Sequence, residues 1–473
     1  MKVLMTGATG LIGKELGKAL VNLGHEVYAV TRDAAKARSQ LPFPCEIIEG
    51  DLSQGPLKDT HDLRLMDAVI NLAGENIGGG RWNESRKRRI YESRVLGTRH
   101  LIQSLPVSPK TFINASAIGY YGSRGDEELT EESAPGNDFL AQVCQDWEEE
   151  LLTFSYGDAL SATRVVSLRT GVVLAPQGGV MEKLLPLFRR GLGSVMGDGK
   201  QWMSWIHIED EIGLILHALE KNSLRGPINL VSPQPVTNEE FSRTLAAVLG
   251  AGMAPRVPAM VLWASMGEMA GLALSSTKAL PKVAQQTGYK FKYTDLEKAL
   301  EQVCNKHVEE IFVSEQFLPW TPEQIFPFFS DVGNLQKITP PTLDFEIISG
   351  NRDKIQRGSE IVYRLKVHGV PIKWKSVIEE WEPPYRFMDV QVEGPYTVWR
   401  HTHEFIPFAG GTLMVDRVRY LLPMGSVGNL IGGSLVRNEI EKIFQFRRQY
   451  LIKNLEQNLG SASASGLHPG TFP

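Results

Sequence analysis

The first thirteen residues, MKVLMTGATGLIG, constrain this chain more than any other stretch: an apolar run, a glycine-spaced turn and the opening of a helical pattern. Gly7, Gly10 and Gly13 stand at TGxxGxxG spacing. Each glycine meets a separate steric need: a tight turn after a strand, close approach of backbone to a pyrophosphate, and close packing of helix on strand. Thr9, Leu11 and Ile12 fill the same turn and helix start, and are read with the glycines as dinucleotide contacts. Because the pattern follows a strand and opens a helix, it is far more specific than a lone glycine motif.

Short apolar strands alternate with helical segments over the first 300 residues. Val3 to Met5, Val27 to Val30, Ala68 to Leu72, Thr111 to Ala115 and Ala162 to Leu168 read as buried strands, with helices beginning near Ile12, Arg86 and Asp138. This grammar predicts an α/β fold, a doubly wound Rossmann-type parallel sheet with helices on both faces. Ligands of such sheets bind beyond the carboxyl ends of the strands. Near residue 305 the grammar changes. Ser359 to Val367, Ile372 to Trp381, Arg386 to Val392, Thr397 to Ile406 and Thr412 to Leu421 read as long alternating strands, joined through Gly369-Val370-Pro371, Pro383-Pro384, Gly394-Pro395 and Gly410-Gly411. An amphipathic helix follows from Leu435 to Leu459, with Ile440, Ile443, Phe444, Tyr450 and Leu451 as its apolar positions. The expected division is therefore 1–304, with a substrate-side lobe mainly over 175–304, then an α+β domain over 308–457. Residues 460–473, a Gly/Ser-rich stretch, read as a disordered tail.

Composition removes several function classes. Lys+Arg of 50 against Asp+Glu of 54 leaves a net charge of −4, which gives no electrostatic case for nucleic acid or an anionic membrane. The basic run Arg86-Lys87-Arg88-Arg89 lies between Glu84 and Glu92 and reads as a solvated helix face. Cys45, Cys144 and Cys304 are odd in number and show neither metal-ligand spacing nor a disulfide framework, which suits a reducing compartment. The N-terminus enters a strand at once, without signal-peptide grammar, and the apolar stretch from Ala259 to Ala273 is interrupted by Glu268. A cytoplasmic protein with no integral membrane segment is the expectation; a homodimer stays open.

The second strand ends in Thr31-Arg32-Asp33. An acid there would bind the ribose hydroxyls of NAD, whereas an arginine favours the 2′-phosphate of NADP. Arg32 makes NADP the expected cofactor and NAD the lesser alternative. Asp51 and Leu52 follow the third strand and are placed for the adenine; Asn71-Leu72-Ala73-Gly74-Glu75 ends the next strand, near ribose and phosphates.

These residues resemble the extended short-chain dehydrogenase/reductase superfamily, in the branch of NAD-dependent epimerase/dehydratases, and within it an atypical "epimerase family" subgroup. The resemblance rests on NLAGENI followed by RWNESRK, then SAIGYYG, DFLAQVCQDWE, LRTGVVLA, WIHIEDE and TGYKFKYTDLEKAL, in order over residues 1 to about 304. It implies that Thr31, Arg32, Asp51, Leu52, Glu75 and Arg81 touch the cofactor. Some relatives in the subgroup carry a cell-division-inhibitor label, for which the sequence offers no mechanism.

The superfamily's usual chemistry needs a Tyr-x-x-x-Lys pair and a hydroxyl residue. At the position expected for the pair stand Leu140 and Cys144, which have its spacing and none of its chemistry. Lys183 lies too far along to substitute. The hydroxyl position falls on Ala117, with Ser116 one residue early, and a one-residue step in a strand reverses the side chain's face. Ser116 and Tyr121 remain the candidate catalytic residues, with packing the competing role for Tyr121. Tyr120, Trp202, Trp205 and His207 are the candidate substrate pocket, apolar and aromatic where a diphosphate site would want a cation. His207 has a structural alternative near the domain hinge, and Asp210 reads as the cap of the following helix.

Residues 308 to 457 resemble the START-like superfamily (SRPBCC, polyketide cyclase/dehydrase, helix-grip). The carriers are VSEQFLPWTPEQIFPFFSDVGNLQKITPP, the strand pairs and the long final helix. The resemblance implies an apolar ligand between sheet and helix, with Phe345, Trp374, Trp381, Phe387, Trp399 and Phe405 as pocket aromatics; a plain core is the alternative. His401 and His403 share a strand face, but without a third ligand they read as a cross-strand pair, and no metal is expected. Two functions follow: an NADP(H)-dependent oxidoreductase or epimerase-like enzyme on a small or apolar substrate, or a non-catalytic NADP-binding sensor.

Overall fold

The computed structural model describes residues 1–58, 60–152, 163–176, 178–304, 309–350, 355–367, 370–423 and 426–458. The expected tail over 460–473 lies outside the described residues. The chain divides into two compact units, Met1–Ala34 with Cys45–Lys306, and Ala35–Pro44 with His307–Pro473.

The first unit is built on a parallel sheet of seven strands: β1 (Lys2–Thr6), β2 (Glu26–Thr31), β3 (Glu46–Glu49), β4 (Ala68–Asn71), β5 (Thr111–Ala117), β6 (Arg164–Thr170) and β7 (Gly226–Leu230). Their order is β7-β6-β5-β4-β1-β2-β3, every pairing parallel. Val3, Leu4, Met5, Val69, Ile70, Phe112 and Ile113 have no exposed surface, as strands covered on both faces require. Chain order reverses between β1 and β4, so a crevice opens at their carboxyl ends, where the glycine turn lies. The sixth strand runs two residues later than its apolar run suggests. Arg164, Ser167 and Arg169 are buried within it, and Arg164 is accommodated by donating to the carbonyls of Ala218, Leu219 and Leu224 at 2.7, 2.8 and 3.0 Å.

The second unit holds an antiparallel sheet: β8 (Glu310–Leu318), β9 (Glu346–Gly350), β10 (Glu360–Val367), β11 (Val370–Glu382), β12 (Arg386–Glu393), β13 (Val398–Phe408) and β14 (Gly411–Leu421). The order is β8-β14-β13-β12-β11-β10-β9, so the last six strands form a meander and β8 adds to its end. The C-terminal helix, Ser426–Asn458, buries Ile440, Phe444, Leu451 and Leu455 in the cores against this sheet. It begins nine residues before the expected Leu435, through Gly428, Gly432 and Gly433, which local propensity disfavours.

Candidate functional site

The glycine turn has the sterics its spacing predicts. Gly7 has φ of +70°, and a Cβ there would lie 2.8 Å from the carbonyl carbon of Leu72, which follows β4. A Cβ on Gly13 would stand 2.2 Å from the carbonyl oxygen of Gly7, so only glycine lets the helix Leu11–Asn22 lie this close to the turn. Gly10 differs: a Cβ there would meet only Gly7 O, at 3.1 Å. Its outer side is open. Gly10 is the N-cap of that helix, no side chain caps it, and the first turn holds no acidic residue. Its first-turn N–H groups are therefore free to bind an anion, and the cradle fits a pyrophosphate. Thr9, Leu11 and Ile12 are half-buried around it, with the Leu11 side chain against Gly178 and Gly179.

A buried polar network braces the strand ends beneath. The Thr6 hydroxyl donates to Asn71 Oδ1 at 2.6 Å and accepts from the N–H groups of Leu72 and Ala73 at 3.1 and 3.0 Å. Asn71 Nδ2 donates to Thr98 Oγ1 and to Asn114 Oδ1, at 2.8 and 2.7 Å. Arg94 packs under Gly74, where a Cβ would come 3.0 Å from its guanidinium carbon, and donates to the Glu75 carbonyl at 3.1 Å. The Glu75 carboxylate faces Arg86 and Arg89 at 3.5 and 3.8 Å. Leu52 is buried and its carbonyl meets His100 at 2.7 Å, while Asp51 accepts from the backbone and hydroxyl of Ser53 at 3.0 and 2.7 Å. Thr31 ends β2, and Arg32 beside it is exposed.

At the expected catalytic position, Leu140 and Cys144 lie on the face of helix Phe139–Glu149 that packs on Gly119. Burial, with the Glu148 charge beside it, pushes the Cys144 thiol up to about 12. Ser116 donates to Glu148 Oε1 at 2.6 Å. Glu148 is clamped by Arg169 through two bonds of 2.9 and 2.8 Å. Arg169 also donates to the Tyr121 hydroxyl at 3.1 Å and lies 3.4 Å from the centroid of the Tyr120 ring. Tyr121 has no exposed surface, donates to Asn229 Oδ1 at 2.7 Å, and is pushed by burial up to about 12, against the pull of Arg169. Ser116 and Tyr121 thus belong to one internal network whose hub is the Arg169–Glu148 pair. Tyr120, half-buried, stacks on that hub.

Residues 3–230 match the model of the NAD dependent epimerase/dehydratase family, and residues 257–303 match a domain of unknown function, DUF1731. An epimerase family protein of Mycobacterium leprae (strain TN) is 37% identical over 307 residues, covering 64% of this chain and 96% of that protein. The chain belongs to this epimerase family. The epimerase family protein YfhF of Bacillus subtilis (strain 168) is 37% identical over 309 residues, 64% of this chain and 98% of that one. The crystal structure of human epimerase family protein SDR39U1 (isoform2) with NADPH aligns at a TM-score of 0.56 with 34% identity, covering 64% of this chain and 99% of that one.

On the substrate side, this epimerase-family unit distributes the expected residues between surface and core. Trp202 is half-buried, donates to Asp126 at 2.7 Å and carries Lys278 over its ring. Trp205 has no exposed surface, packs in a core with Leu174, Met181 and Phe241, and donates to the Gln234 carbonyl at 2.9 Å. His207 is equally buried and caps helix Ile208–Glu220: its Nδ1 accepts from Glu209 N at 3.2 Å, so Nε2 carries the proton to Gln302, 2.6 Å away. Burial lowers its pKa. The cap expected of Asp210 therefore falls to His207. Asp210 instead receives Lys292 N, Tyr293 N and the Tyr289 hydroxyl at 2.8, 2.8 and 3.1 Å, because its side chain turns inward to a neighbouring loop. Arg81 donates to the carbonyls of Ser265 and Ala264 at 2.8 and 2.6 Å, and Lys183 to that of Gly78. Arg94, Arg169, Glu148 and Asn229 went unremarked in the sequence; a buried charge within an apolar strand, as at Arg169, is the signal that could have found them.

The antiparallel unit contains a cavity of about 350 Å³ between sheet and C-terminal helix. Phe345, Trp374, Phe387 and Trp399 line it, as expected. Trp381 and Phe405 pack on Phe326 in the adjoining core instead, 5.2 and 5.5 Å between ring centroids. The cavity wall includes His401, His403, Asp389 and Arg447. Asp389 opposes His401 across β12 and β13, and Asp416 opposes His403 across β13 and β14. Burial works against the Asp416 charge, but Arg447 and the two imidazoles hold its carboxyl well below the ordinary range. His401 is pushed by burial and the neighbouring His403 down to about 4.

Proposed function

We propose that the parallel-sheet unit holds NADP(H) and exchanges hydride with a small or apolar substrate, and that the antiparallel unit is a START-like carrier of an apolar ligand. The observation that carries the first part is the glycine cradle: an uncapped helix N-terminus under an open Gly10, at the point where strand order reverses. When bound, the nicotinamide supplies or accepts the hydride. The first-turn N–H groups of helix Leu11–Asn22 would hold the pyrophosphate, Asp51 and Leu52 would flank the adenine, and Ala73, Gly74 and Glu75 would line the ribose and phosphate path. Arg32 supports NADP over NAD: it is exposed at the end of β2, and no hydrogen bond or ion pair engages it among the described residues. NADPH in the human relative's crystal structure supports the same choice.

Ser116 and Tyr121 serve in this reading as the site's braced wall, since both hydroxyls are committed to Glu148, Arg169 and Asn229. Proton transfer would then pass through water. The second reading, an NADP(H) sensor without turnover, is favoured by Leu140 and Cys144, neither of which can act as a phenolate–ammonium pair. One experiment separates the two: NADPH binding followed by fluorescence, and NADPH oxidation against a broad carbonyl panel. Binding with oxidation supports the enzyme, binding without any oxidation supports the sensor, and no binding overturns both. Arg32→Ala should weaken NADPH binding roughly ten- to hundredfold, the worth of a charge-assisted hydrogen bond, and leave NADH nearly unchanged; equal losses would overturn the cofactor choice. For the antiparallel unit, mass spectrometry of solvent-extracted protein should find a co-purified apolar molecule.

A further inference from the structure

We propose that Asp389, His401 and His403 form a binding site for one divalent first-row transition-metal ion, open to the cavity of the antiparallel unit. The sequence offered two histidines two residues apart on β13 and no third ligand; pairing of β12 with β13 supplies it, since Asp389 stands opposite His401. One ligand atom from each of the three residues lies within 4.8 Å of the other two. Asp389 Oδ1 is 3.6 Å from His401 Nδ1 and 3.5 Å from His403 Nε2. Metal–ligand bonds of about 2.0–2.2 Å hold neighbouring ligand atoms about 3–3.5 Å apart, so small side-chain shifts would close the set.

The surroundings orient the three groups as a metal site requires. Asp416 stands on the far side of both rings, with Oδ1 2.9 Å from His401 Nε2 and 2.8 Å from His403 Nδ1. A carboxylate can only accept, so the His401 proton sits on Nε2 and the lone pair of Nδ1 turns toward Asp389. His403 Nδ1 approaches Asp416 out of line for a hydrogen bond, while its Nε2 faces Asp389. Carboxylates behind ligating imidazoles fix ring orientation and tautomer in this way. Ser376 donates to the other oxygen of Asp389 at 3.3 Å, leaving Oδ1 toward the histidines. Arg447 approaches Asp416 Oδ1 at 3.3 Å, and the set facing the cavity consists of two imidazoles and the Asp389 carboxylate. Both rings are about nine-tenths buried. His401 Nδ1, His403 Nε2 and Asp389 Oδ1 lie close together in the cavity wall, a set that one bound cation would satisfy at once. Two nitrogens and one oxygen on one side, with open positions on the other, suit a borderline divalent ion rather than Ca²⁺ or Mg²⁺.

The test uses the full chain, stripped with chelator and titrated with Co²⁺ by calorimetry, with X-ray absorption on the loaded protein. One Co²⁺ per chain with two imidazoles in its first shell is expected. Asp389→Asn and His401→Gln should each weaken binding at least tenfold, with circular dichroism reporting that the variants are folded. Failure of the intact chain to take up one equivalent overturns the proposal, as does uptake unchanged by both variants, which marks an adventitious ion only. Should the variants not fold, the absorption spectrum of the unaltered chain decides, because a first shell without imidazole excludes this site. Nitrogen NMR showing His403 still protonated on Nε2 in excess Co²⁺ would assign the place to a proton and refute the metal.

Discussion

Glu211 offers a quantitative test of the packing around β6. It lies in the first turn of helix Ile208–Glu220 with 1% of its surface exposed; one oxygen accepts from Thr170 Oγ1 at 2.9 Å, and the other has no hydrogen-bond partner. Burial pushes its carboxyl from an ordinary 4.5 up to about 8. The native state therefore keeps this proton where the unfolded chain has lost it. Stability from the protonated group is complete below pH 4.5 and is lost as pH rises to about 8. At about 1.4 kcal/mol per tenfold change in proton affinity, the loss across that window is roughly 5 kcal/mol. Glu211→Gln keeps the shape and the acceptor for Thr170 and removes the proton. The assay is urea-dependent hydrogen exchange of the full chain at pH 5 and pH 9, read at the amides of that helix. The unaltered chain should lose several kcal/mol more than the variant between the two pH values. Other titrating groups cancel in the comparison. Identical pH dependence in both proteins would refute the claim that this carboxyl is buried and neutral.

Gly13→Ala places a Cβ 2.2 Å from Gly7 O, and should destabilise the parallel-sheet unit by about 1–3 kcal/mol or more, as overpacking does, seen as a lowered melting temperature; an unchanged melt would refute the contact. Arg169→Met strands the Glu148 carboxylate, whose pairing with Arg169 is almost wholly buried, at a cost of roughly 3–5 kcal/mol. Adding Glu148→Leu should recover most of that in chemical unfolding. Cys144, raised by burial to about 12, should resist iodoacetamide at pH 8 in the native chain while half-buried Cys45 reacts first; rapid alkylation of Cys144 would show that its pocket opens.

Much of the scaffold was legible because it depends on local, periodic rules. The strand from Val3, the glycine turn and the helix after it are written within thirteen residues: the demand at Gly13 comes from its near neighbours Gly7 and Ala8, whereas that at Gly7 comes from Leu72, which only the pairing of β1 with β4 brings beside it. Alternation in β10 to β14 was likewise readable, because one face of a sheet must meet a core. Boundaries slipped where buried polar groups interrupted the pattern. Arg164 and Arg169 lie within β6 although their charge argues against burial, and the partners that permit it are carbonyls and a carboxylate from other elements.

The site divides along the same line. By itself the sequence determined that a dinucleotide cradle stands at the first strand, since residue type at fixed spacing decides it, and it placed Leu140 and Cys144 where the family resemblance implies a Tyr/Lys pair. Only the tertiary structure decided what the remaining polar groups do. Tyr121 reaches Asn229 across 108 positions, Ser116 reaches Glu148 across 32, and Arg169 joins them. His401 and His403 were visible as a pair, but Asp389 and Asp416 come to them through strand register, which hairpin geometry sets. Spacing along a chain fixes which side chains share one strand or one helix turn; which groups meet across strands, and whether water reaches them, depends on how separate elements pack.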